Sequence, residues 1–228
     1  MTVYEYFVSL VVIKPEIMSL PERTVARLSE YRRILLDCLA KGQTHIFSHE
    51  LASLNHITAV QVRRDMMLMG FTSMQRKGYD IKELISAIGD LIDTMDGLNV
   101  AVVGVGNFGR AITRYFRGKR SKLNIVATFD VDEEIVGEVV GGVRCFHMNE
   151  IVAQIEKLGI SIAVLTVPPE YARSTAELLA QNGIKGILNF TTIPLNMPQD
   201  VHLEEFDMIT SIEKVAYFVK KELGEPGN

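Results

Sequence analysis

Three glycines near the middle of the chain, Gly104, Gly106 and Gly109, have the spacing GxGxxG. A hydrophobic stretch with strand character precedes them, and a segment with helical periodicity follows them. In this context the first glycine allows a tight turn, the second lets a diphosphate approach the backbone, and the third lets the helix pack on the strand. The diphosphate then lies at the positive N-terminus of the helix. The spacing therefore predicts a dinucleotide site comprising Gly104, Val105, Gly106, Asn107, Phe108 and Gly109.

Asp130 ends the next predicted strand, about twenty residues after the last of these glycines, and Asp132 is the alternative acid. A carboxylate in that place accepts hydrogen bonds from the adenosine ribose and repels a 2′-phosphate, so we expect NAD(H) rather than NADP(H) as the cofactor. A later strand ends in Thr166, Val167 and Pro168, which reach the same edge of the sheet and are also assigned to the cofactor site. A purely structural turn is an almost equal alternative for these three residues.

A second group of candidate residues is basic and lies in the first third of the chain. The formal net charge of the protein is −4, so any affinity for nucleic acid must be local. Arg63 and Arg64 lie near the start of a predicted helix, and guanidinium groups there can bind guanine edges or phosphates. The predicted DNA-contacting set comprises Ser48, Thr58, Gln61, Arg63, Arg64, Arg76 and Lys77.

The elements that would position these basic residues form a winged helix-turn-helix pattern. Helical periodicity predicts a first helix over Glu22–Ala40 and a short second helix capped by Ser48. A third helix starts with a capping box formed by Thr58 and Gln61. The short basic segment Phe71–Asp80 is typical of a β-hairpin or wing. The sequence therefore predicts a DNA-binding domain before residue 81.

Beyond residue 96, short β-rich runs alternate with helical segments, which predicts an α/β fold with a doubly wound, mostly parallel Rossmann sheet. A linking helix with a continuous apolar stripe, Ile81–Met95, precedes the sheet. An amphipathic helix over Ile212–Leu223 follows it, and its apolar side suits a partner subunit. The predicted parts are an unassigned N-terminal arm (1–19), a winged-helix domain (20–80), a linking helix (81–96), a Rossmann NAD(H)-binding domain (97–208) and a C-terminal dimerisation helix (209–228).

The composition argues against several other classes of protein. Hydrophobic residues make up 47% of the chain and charged residues 23%, as in ordinary soluble globular proteins. Cys38 and Cys145 stand apart, without a CxxC motif or a His/Cys cluster, so we expect neither disulfides nor a metal site, and a cytoplasmic location. The apolar stretch Val3–Ile13 is too short to span a bilayer.

Six segments carry a resemblance to a known family. They occur in the order LPERTVARLSEYRRIL (20–35), ELASLNHITAVQVRRD (50–65), VVGVGNFGRA (102–111), FDVD (129–132), LTVP (165–168) and GIKGILNF (183–190). With them the chain resembles the Rex family of bacterial redox-sensing transcriptional repressors, from about Leu20 to Leu223. The co-occurrence of these segments in one order is far more specific than any single motif.

The resemblance implies a homodimer that binds a palindromic operator in double-stranded DNA when NADH is low and leaves it when NADH rises. It also implies that the C-terminal helix crosses to the partner subunit. Three residues match positions of an interdomain switch, in which the acid at Asp207 bonds alternately to Arg33 and Tyr115 as the domains rotate.

Departures from the family pattern leave a divergent paralogue with a weaker redox response as one alternative. They lie in the wing at 75–79, after the third helix at 68–70, and at Thr191–Thr192, where the family usually has alanine and proline. The first two bear on the operator sequence, and the third bears on the nicotinamide end of the cofactor site.

Two further alternatives use the same glycine turn. An NAD-dependent oxidoreductase usually has a substrate domain, and too little chain follows Phe190 to build one. His147 and His202 are more typical of surface or turn residues than of catalysts, so we expect no enzymatic activity. A CoA-binding domain is disfavoured because the carboxylate of Asp130 would face the 3′-phosphate of CoA.

Overall fold

A computed structural model of the protein describes residues 20–72, 77–116 and 122–222, with the side chains of 221 and 222 left out. The chain divides into two compact units, Met1–Asp93 and Thr94–Asn228. The N-terminal arm, Arg76 and the part of the predicted C-terminal helix from Leu223 onward lie outside the described residues. Within the described ranges, no helix has the length and apolar character needed to cross a membrane.

The N-terminal unit is built on four helices, α1 (Glu22–Ala40), α2 (Ser48–Leu54), α3 (Ala59–Leu68) and α4 (Ile81–Ile92). Two short strands, β1 (His45–Ile46) and β2 (Tyr79–Asp80), pair antiparallel. One apolar core joins all four helices, and its fully buried members include Leu28, Leu35, Leu51, Val62, Ile81, Leu84 and Ile88. The helix that we expected to link the domains is therefore a core element of this unit.

Two helix starts in this unit confirm or correct the predicted caps. Thr58 precedes α3, and its hydroxyl accepts the backbone N–H of Gln61 at 3.2 Å. The Gln61 side chain bonds elsewhere, so only half of the predicted capping box forms. Ser48 is the first residue of α2 and not its cap, because the preceding Phe47 donates its backbone N–H to the carboxylate of Glu50 at 2.6 Å.

The wing and the end of α4 also differ from expectation. We expected both strands of the wing within Phe71–Asp80, but the strand there, β2, pairs with β1, which precedes α2. Two-residue strands carry no periodic signal, so the pattern gave no sign of β1. The α4 helix ends at Ile92, and Met95 is 91% exposed, so the apolar stripe does not continue to Met95.

The C-terminal unit is a seven-stranded sheet in the order β5-β6-β4-β3-β7-β8-β9. Its strands are β3 (Leu98–Val103), β4 (Leu123–Asp130), β5 (Val139–Val140), β6 (Val143–His147), β7 (Ile160–Leu165), β8 (Gly186–Asn189) and β9 (His202–Glu205). Only the β5–β6 pair at one edge is antiparallel. The helices are α5 (Asn107–Phe116), α6 (Ile151–Leu158), α7 (Pro169–Gln181) and α8 (Met208–Glu222), with a 3-10 turn at Met148–Glu150.

Helices cover both faces of this sheet, as the alternating pattern predicts. Ala101 and Val103 of β3 pack into a core that includes residues of α6 and α7. Val100 and Val102, which point to the opposite face, pack with Ile112 of α5. The mostly parallel, doubly wound α/β architecture is confirmed, and β3 lies at its centre.

The α8 helix begins earlier than predicted. Asp207 precedes it and accepts the backbone N–H of Ile209 at 2.9 Å and the hydroxyl of Thr210 at 2.7 Å. These capping bonds start the helix at Met208 and not at Ile212. All the side chains that the structure describes on α8 are exposed, including large apolar ones.

Candidate dinucleotide site and nucleic-acid interface

The glycine turn joins β3 to α5 through backbone contacts that leave no room for side chains. Gly104 has φ +92°, and a Cβ there would lie 2.7 Å from the carbonyl oxygen of Thr166. A Cβ on Gly109 would lie 2.0 Å from the carbonyl oxygen of Gly104. Over Gly106, by contrast, no described atom beyond its two chain neighbours lies within 4 Å of the Cβ position. The first and third glycines thus close the turn, and the second faces open space.

The N-terminus of α5 points its backbone into this open space. The first N–H groups of a helix, here from Asn107 onward, have no acceptor within the helix and carry partial positive charge. The α7 helix begins at Pro169, directly after β7, at the same edge of the sheet. The predicted turn residues lie together there, and the backbone has the charge and the open approach that a diphosphate requires.

Asp130 lies beside the turn because β4 is the neighbour of β3. Its Oδ2 accepts the backbone N–H of Val105 at 2.5 Å. Its Oδ1 accepts the N–H groups of Val131 and Asp132 at 2.7 and 3.0 Å. A carboxylate has about four acceptor positions, so Oδ2 keeps one for a further donor such as a ribose hydroxyl.

Thr166, at the end of β7, uses its side chain to hold the turn. Its hydroxyl donates to the carbonyl oxygen of Gly104 at 2.7 Å and lies 3.1 Å from that of Val103. Val167 is half-buried against the core, and Pro168 occupies the N-cap position of α7. These contacts favour the structural alternative for Thr166, and direct cofactor contacts by the three residues stay a prediction.

An aromatic row along the same sheet edge was missed from the sequence. The ring centroids of Phe108 and Phe190 are 5.0 Å apart, and those of Phe190 and Phe206 are 5.3 Å apart. Phe108 lies in the first turn of α5, whereas Phe190 and Phe206 directly follow β8 and β9. Their positions at strand ends were a usable signal.

Thr191, which stands where the family usually has alanine, forms hydrogen bonds within its own loop. The buried side chain of Asn189 donates to the carbonyl oxygen of Ile193 at 2.9 Å. Its Oδ1 accepts the hydroxyl and the backbone N–H of Thr191 at 2.8 and 3.0 Å. Thr191 therefore closes the loop after β8 through hydrogen bonds of its own.

In the N-terminal unit, a buried acid sets the orientation of α3. Asp65 is fully buried and forms an ion pair with Arg27 of α1 through two hydrogen bonds of 2.7 Å. The Tyr31 hydroxyl and the Gln61 amide also donate to Asp65, at 2.8 and 2.9 Å. Burial alone would raise the pKa of Asp65, but these donors outweigh it and hold that pKa below its usual value. Burial and the neighbouring Asp65 raise the pKa of Tyr31.

This network was not foreseen, because an acid beside two arginines in the sequence VRRD is typical of a solvated helix face. The amide of Gln61, a predicted DNA contact, donates to Asp65, and its contact with DNA stays a prediction. The opposite face of α3 carries Arg63 and Arg64, both exposed. Arg63 donates to the hydroxyl of Ser48 at 3.2 Å, so these two predicted DNA contacts lie together.

The structure also describes two further residues of the predicted DNA-contacting set, Thr58 and Lys77. Thr58 caps α3, and Lys77 is exposed beside Gly78 in the wing. Gly78 has φ +91°, and a Cβ there would lie 2.6 Å from the carbonyl oxygen of Ile46. The wing backbone therefore passes close to β1 just after Lys77.

The three predicted switch residues are distributed over both units. Arg33 is exposed on α1 of the first unit. In the second unit, Tyr115 lies on α5 with its ring 6.1 Å from that of Phe116, and Asp207 caps α8. Hydrogen bonds from Thr210 and Ile209 lower the pKa of Asp207. The exchange of partners by Asp207 stays a prediction.

The described residues contain no cluster of three or more side chains suited to a metal ion. Cys38 and Cys145 are both buried thiols. Burial raises the pKa of each, which disfavours the reactive thiolate.

Known protein families match part of each unit, and known relatives match most of the chain. The family described as the N-terminus of a putative DNA-binding protein matches residues 19–66, and the family described as a CoA binding domain matches residues 95–193. The redox-sensing transcriptional repressor Rex of Lactobacillus acidophilus is 34% identical, over 91% of this chain and 98% of its own length. That of Anoxybacillus flavithermus is 36% identical, over 88% and 94%. The chain belongs to the Rex family.

Solved structures of a Rex-family repressor, RSP, agree with this assignment. RSP in complex with β-NAD+ and operator DNA has a TM-score of 0.81 at 30% identity, over 90% of this chain and 94% of that chain. RSP in complex with β-NADH has a TM-score of 0.79 at 30% identity, over 89% and 95%. The predicted order of an N-terminal DNA-binding domain and a Rossmann-like domain is thereby confirmed.

Proposed function

We propose that this protein is an NADH-responsive transcriptional repressor that binds a palindromic operator as a homodimer and releases it when NADH binds. One observation carries the proposal: a single chain joins an open glycine turn beside Asp130 to a helix with outward-facing Arg63 and Arg64. The first unit suits DNA, and the second suits a dinucleotide. The RSP complexes with NADH and with NAD+ and operator DNA support the same pairing of ligands.

The cofactor that this site fits best is NAD(H). The diphosphate would bind over Gly106 at the N-terminus of α5, where the approach is open. A ribose hydroxyl would take the remaining acceptor position of Asp130 Oδ2, next to the N–H of Val105. The same carboxylate would repel the extra ribose phosphate of NADP(H) or CoA, so the site disfavours CoA although the matching family is described as a CoA binding domain. The bound dinucleotide would supply the redox signal through its nicotinamide.

The proposed homodimer uses α8. Its side chains Ile212, Val215, Phe218 and Val219 are between 47% and 67% exposed and follow helical spacing along one face. A partner subunit that covers this face would remove that apolar surface from water. Two α3 helices could then bind half-sites about 34–36 Å apart, which is one turn of DNA.

We further propose that the protein acts in the cytoplasm and does not turn its cofactor over, since its relatives are repressors. Incubation with NADH and a panel of carbonyl compounds, followed at the absorbance of the reduced nicotinamide, should give no consumption. Sustained consumption would instead favour an oxidoreductase.

A linkage measurement tests the repressor proposal. NADH is titrated, by nicotinamide fluorescence, into the protein alone and into the protein saturated with a DNA site selected from random duplexes. Because coupling is reciprocal, DNA should weaken NADH binding by about 1–3 kcal/mol, the typical range for such coupling. A matched duplex with a scrambled half-site is the control. If operator DNA leaves the affinity for NADH unchanged, the two sites are independent and the proposal fails.

A further inference from the structure

The outward face of α3 carries two apolar side chains as well as two arginines. Val60 is 66% exposed and Met67 is 79% exposed. With Arg63 and Arg64 between them, they occupy positions that fall on one side of a helix. We call this set of four residues the α3 stripe. The apolar ends of the stripe lie in water, although α3 has a buried face available for apolar residues.

The buried network fixes the direction in which the stripe faces. Val62 and Met66 are buried in the core, and Asp65 between them accepts four hydrogen bonds. A rotation of α3 by one residue, about 100°, would remove Asp65 from its donors on α1, Arg27 and Tyr31. Because α3 begins at Ala59, the stripe presents Val60 in the N-terminal turn of the helix, with Arg63 and Arg64 one turn later.

We propose that Val60 determines operator specificity by contacting the C5-methyl group of a thymine in the major groove. This inference rests on the proposed DNA-binding function. The N-terminal residues of a recognition helix contact base edges, and thymine is the base that presents a methyl group there. A valine side chain has no hydrogen-bond donor or acceptor, so an apolar contact is its means of reading a base.

The position of this thymine follows from helix geometry. Val60 precedes the two arginines by three and four residues, which corresponds to about 4.5–6 Å along the helix axis. Successive bases along one strand are about 3.4 Å apart. The thymine contacted by Val60 should therefore lie one or two base pairs from a guanine contacted by Arg63 or Arg64.

Methyl removal from the DNA tests this contact directly. A palindromic site is first selected from random duplex DNA with the unmodified protein. Each thymine is then replaced by deoxyuridine, at equivalent positions of both half-sites, and affinities are measured for the unmodified protein, Val60→Ala and Met67→Ala. Loss of one buried methyl should lower affinity about fourfold per half-site and about fifteenfold for both. This penalty should occur at one thymine, shrink in Val60→Ala, whose side chain is shorter, and persist in full in Met67→Ala, the matched control from the far end of the stripe.

The possible failures are distinguishable. Val60 is exposed, so Val60→Ala should keep the helical circular dichroism of the unmodified protein. If a site is recovered but no deoxyuridine weakens binding, or if Val60→Ala keeps the full penalty, Val60 does not read thymine and the repressor proposal stands. If no site is enriched from random DNA, the DNA-binding function fails and the role of Val60 fails with it.

Discussion

The glycine turn and the outward face of α3 are two candidate binding surfaces that depend on different parts of the chain. The turn is made of backbone, and its shape requires glycine where a Cβ would lie 2.0 Å from the Gly104 carbonyl oxygen or 2.7 Å from that of Thr166. The α3 surface is made of side chains, and Asp65 on the opposite face decides which of them point outward. A backbone site can thus be recognised from residue types alone, whereas a side-chain site also depends on the contacts of its scaffold.

The largest expected effect is the loss of the buried acid. Asp65→Ala leaves Arg27 and Tyr31 without their acceptor, and removal of one partner of a buried pair costs about 3–5 kcal/mol. We expect the first unit to lose this stability, as measured by urea unfolding or by hydrogen exchange of α3 amides. Asp37→Ala, which breaks an exposed ion pair with Lys41 on α1, is the control and should have little effect. Equal behaviour of the two variants would show that Asp65 does not orient α3.

The glycine turn allows a matched pair of substitutions. Gly109→Ala forces a Cβ onto the Gly104 carbonyl oxygen and should destabilise the second unit by about 3 kcal/mol. Gly106→Ala meets no atom within 4 Å, so it should fold normally but lose NADH binding, because its methyl group occupies the approach of the diphosphate. Thermal unfolding and NADH fluorescence separate these effects. Normal NADH binding by Gly106→Ala would place the diphosphate elsewhere.

A smaller effect is expected from the acid beside the turn. Asp130→Ala removes a charged acceptor for a ribose hydroxyl, so NADH affinity should fall about tenfold. The repulsion of a 2′-phosphate is lost at the same time, so the preference for NADH over NADPH should narrow. Asp132→Ala, an acid two residues later whose side chain accepts the N–H of Glu134, should retain the preference. Equal affinity of the unmodified protein for NADH and NADPH would contradict the role of Asp130.

The smallest expected effect concerns pH. Hydrogen bonds hold the pKa of Asp65 below its usual value, so its ionised form stabilises the folded protein above the unfolded pKa of about 4. This stabilisation is lost as the pH falls from about 4 through the lower folded pKa. Stability of the first unit should therefore decline with acid more steeply in the unmodified protein than in Asp65→Asn. Parallel pH profiles would show that Asp65 is not ionised in the folded state.

The parts of the fold that could be predicted are those whose signal lies within one segment. The α1 helix has the predicted bounds because its apolar stripe stops just before Gly42, which has φ +85°. The alternation of strands and helices likewise predicts the parallel sheet, since each strand and helix has its own hydrophobic pattern in the sequence. The β1–β2 pair was missed because its strands are two residues long and lie more than thirty residues apart.

The candidate sites show the same limit. The sequence offers no sign that Asp65 lies inside, because its partners Arg27 and Tyr31 come from another helix. The aromatic row of Phe108, Phe190 and Phe206 likewise forms only when three separate segments meet at one sheet edge. Tertiary contacts of this kind have no local spacing. The sequence indicates at most that Phe190 and Phe206 each follow a strand, and not which side chains meet.

Control of DNA binding by the redox state of the cofactor is tested most directly by one titration. The selected palindromic duplex is titrated with the protein at fixed salt, in the presence of saturating NADH or saturating NAD+. We predict that NADH weakens binding by about 1–3 kcal/mol relative to NAD+, the range expected for coupling between two sites. Identical binding curves would leave a nucleotide-binding DNA protein and would contradict redox sensing.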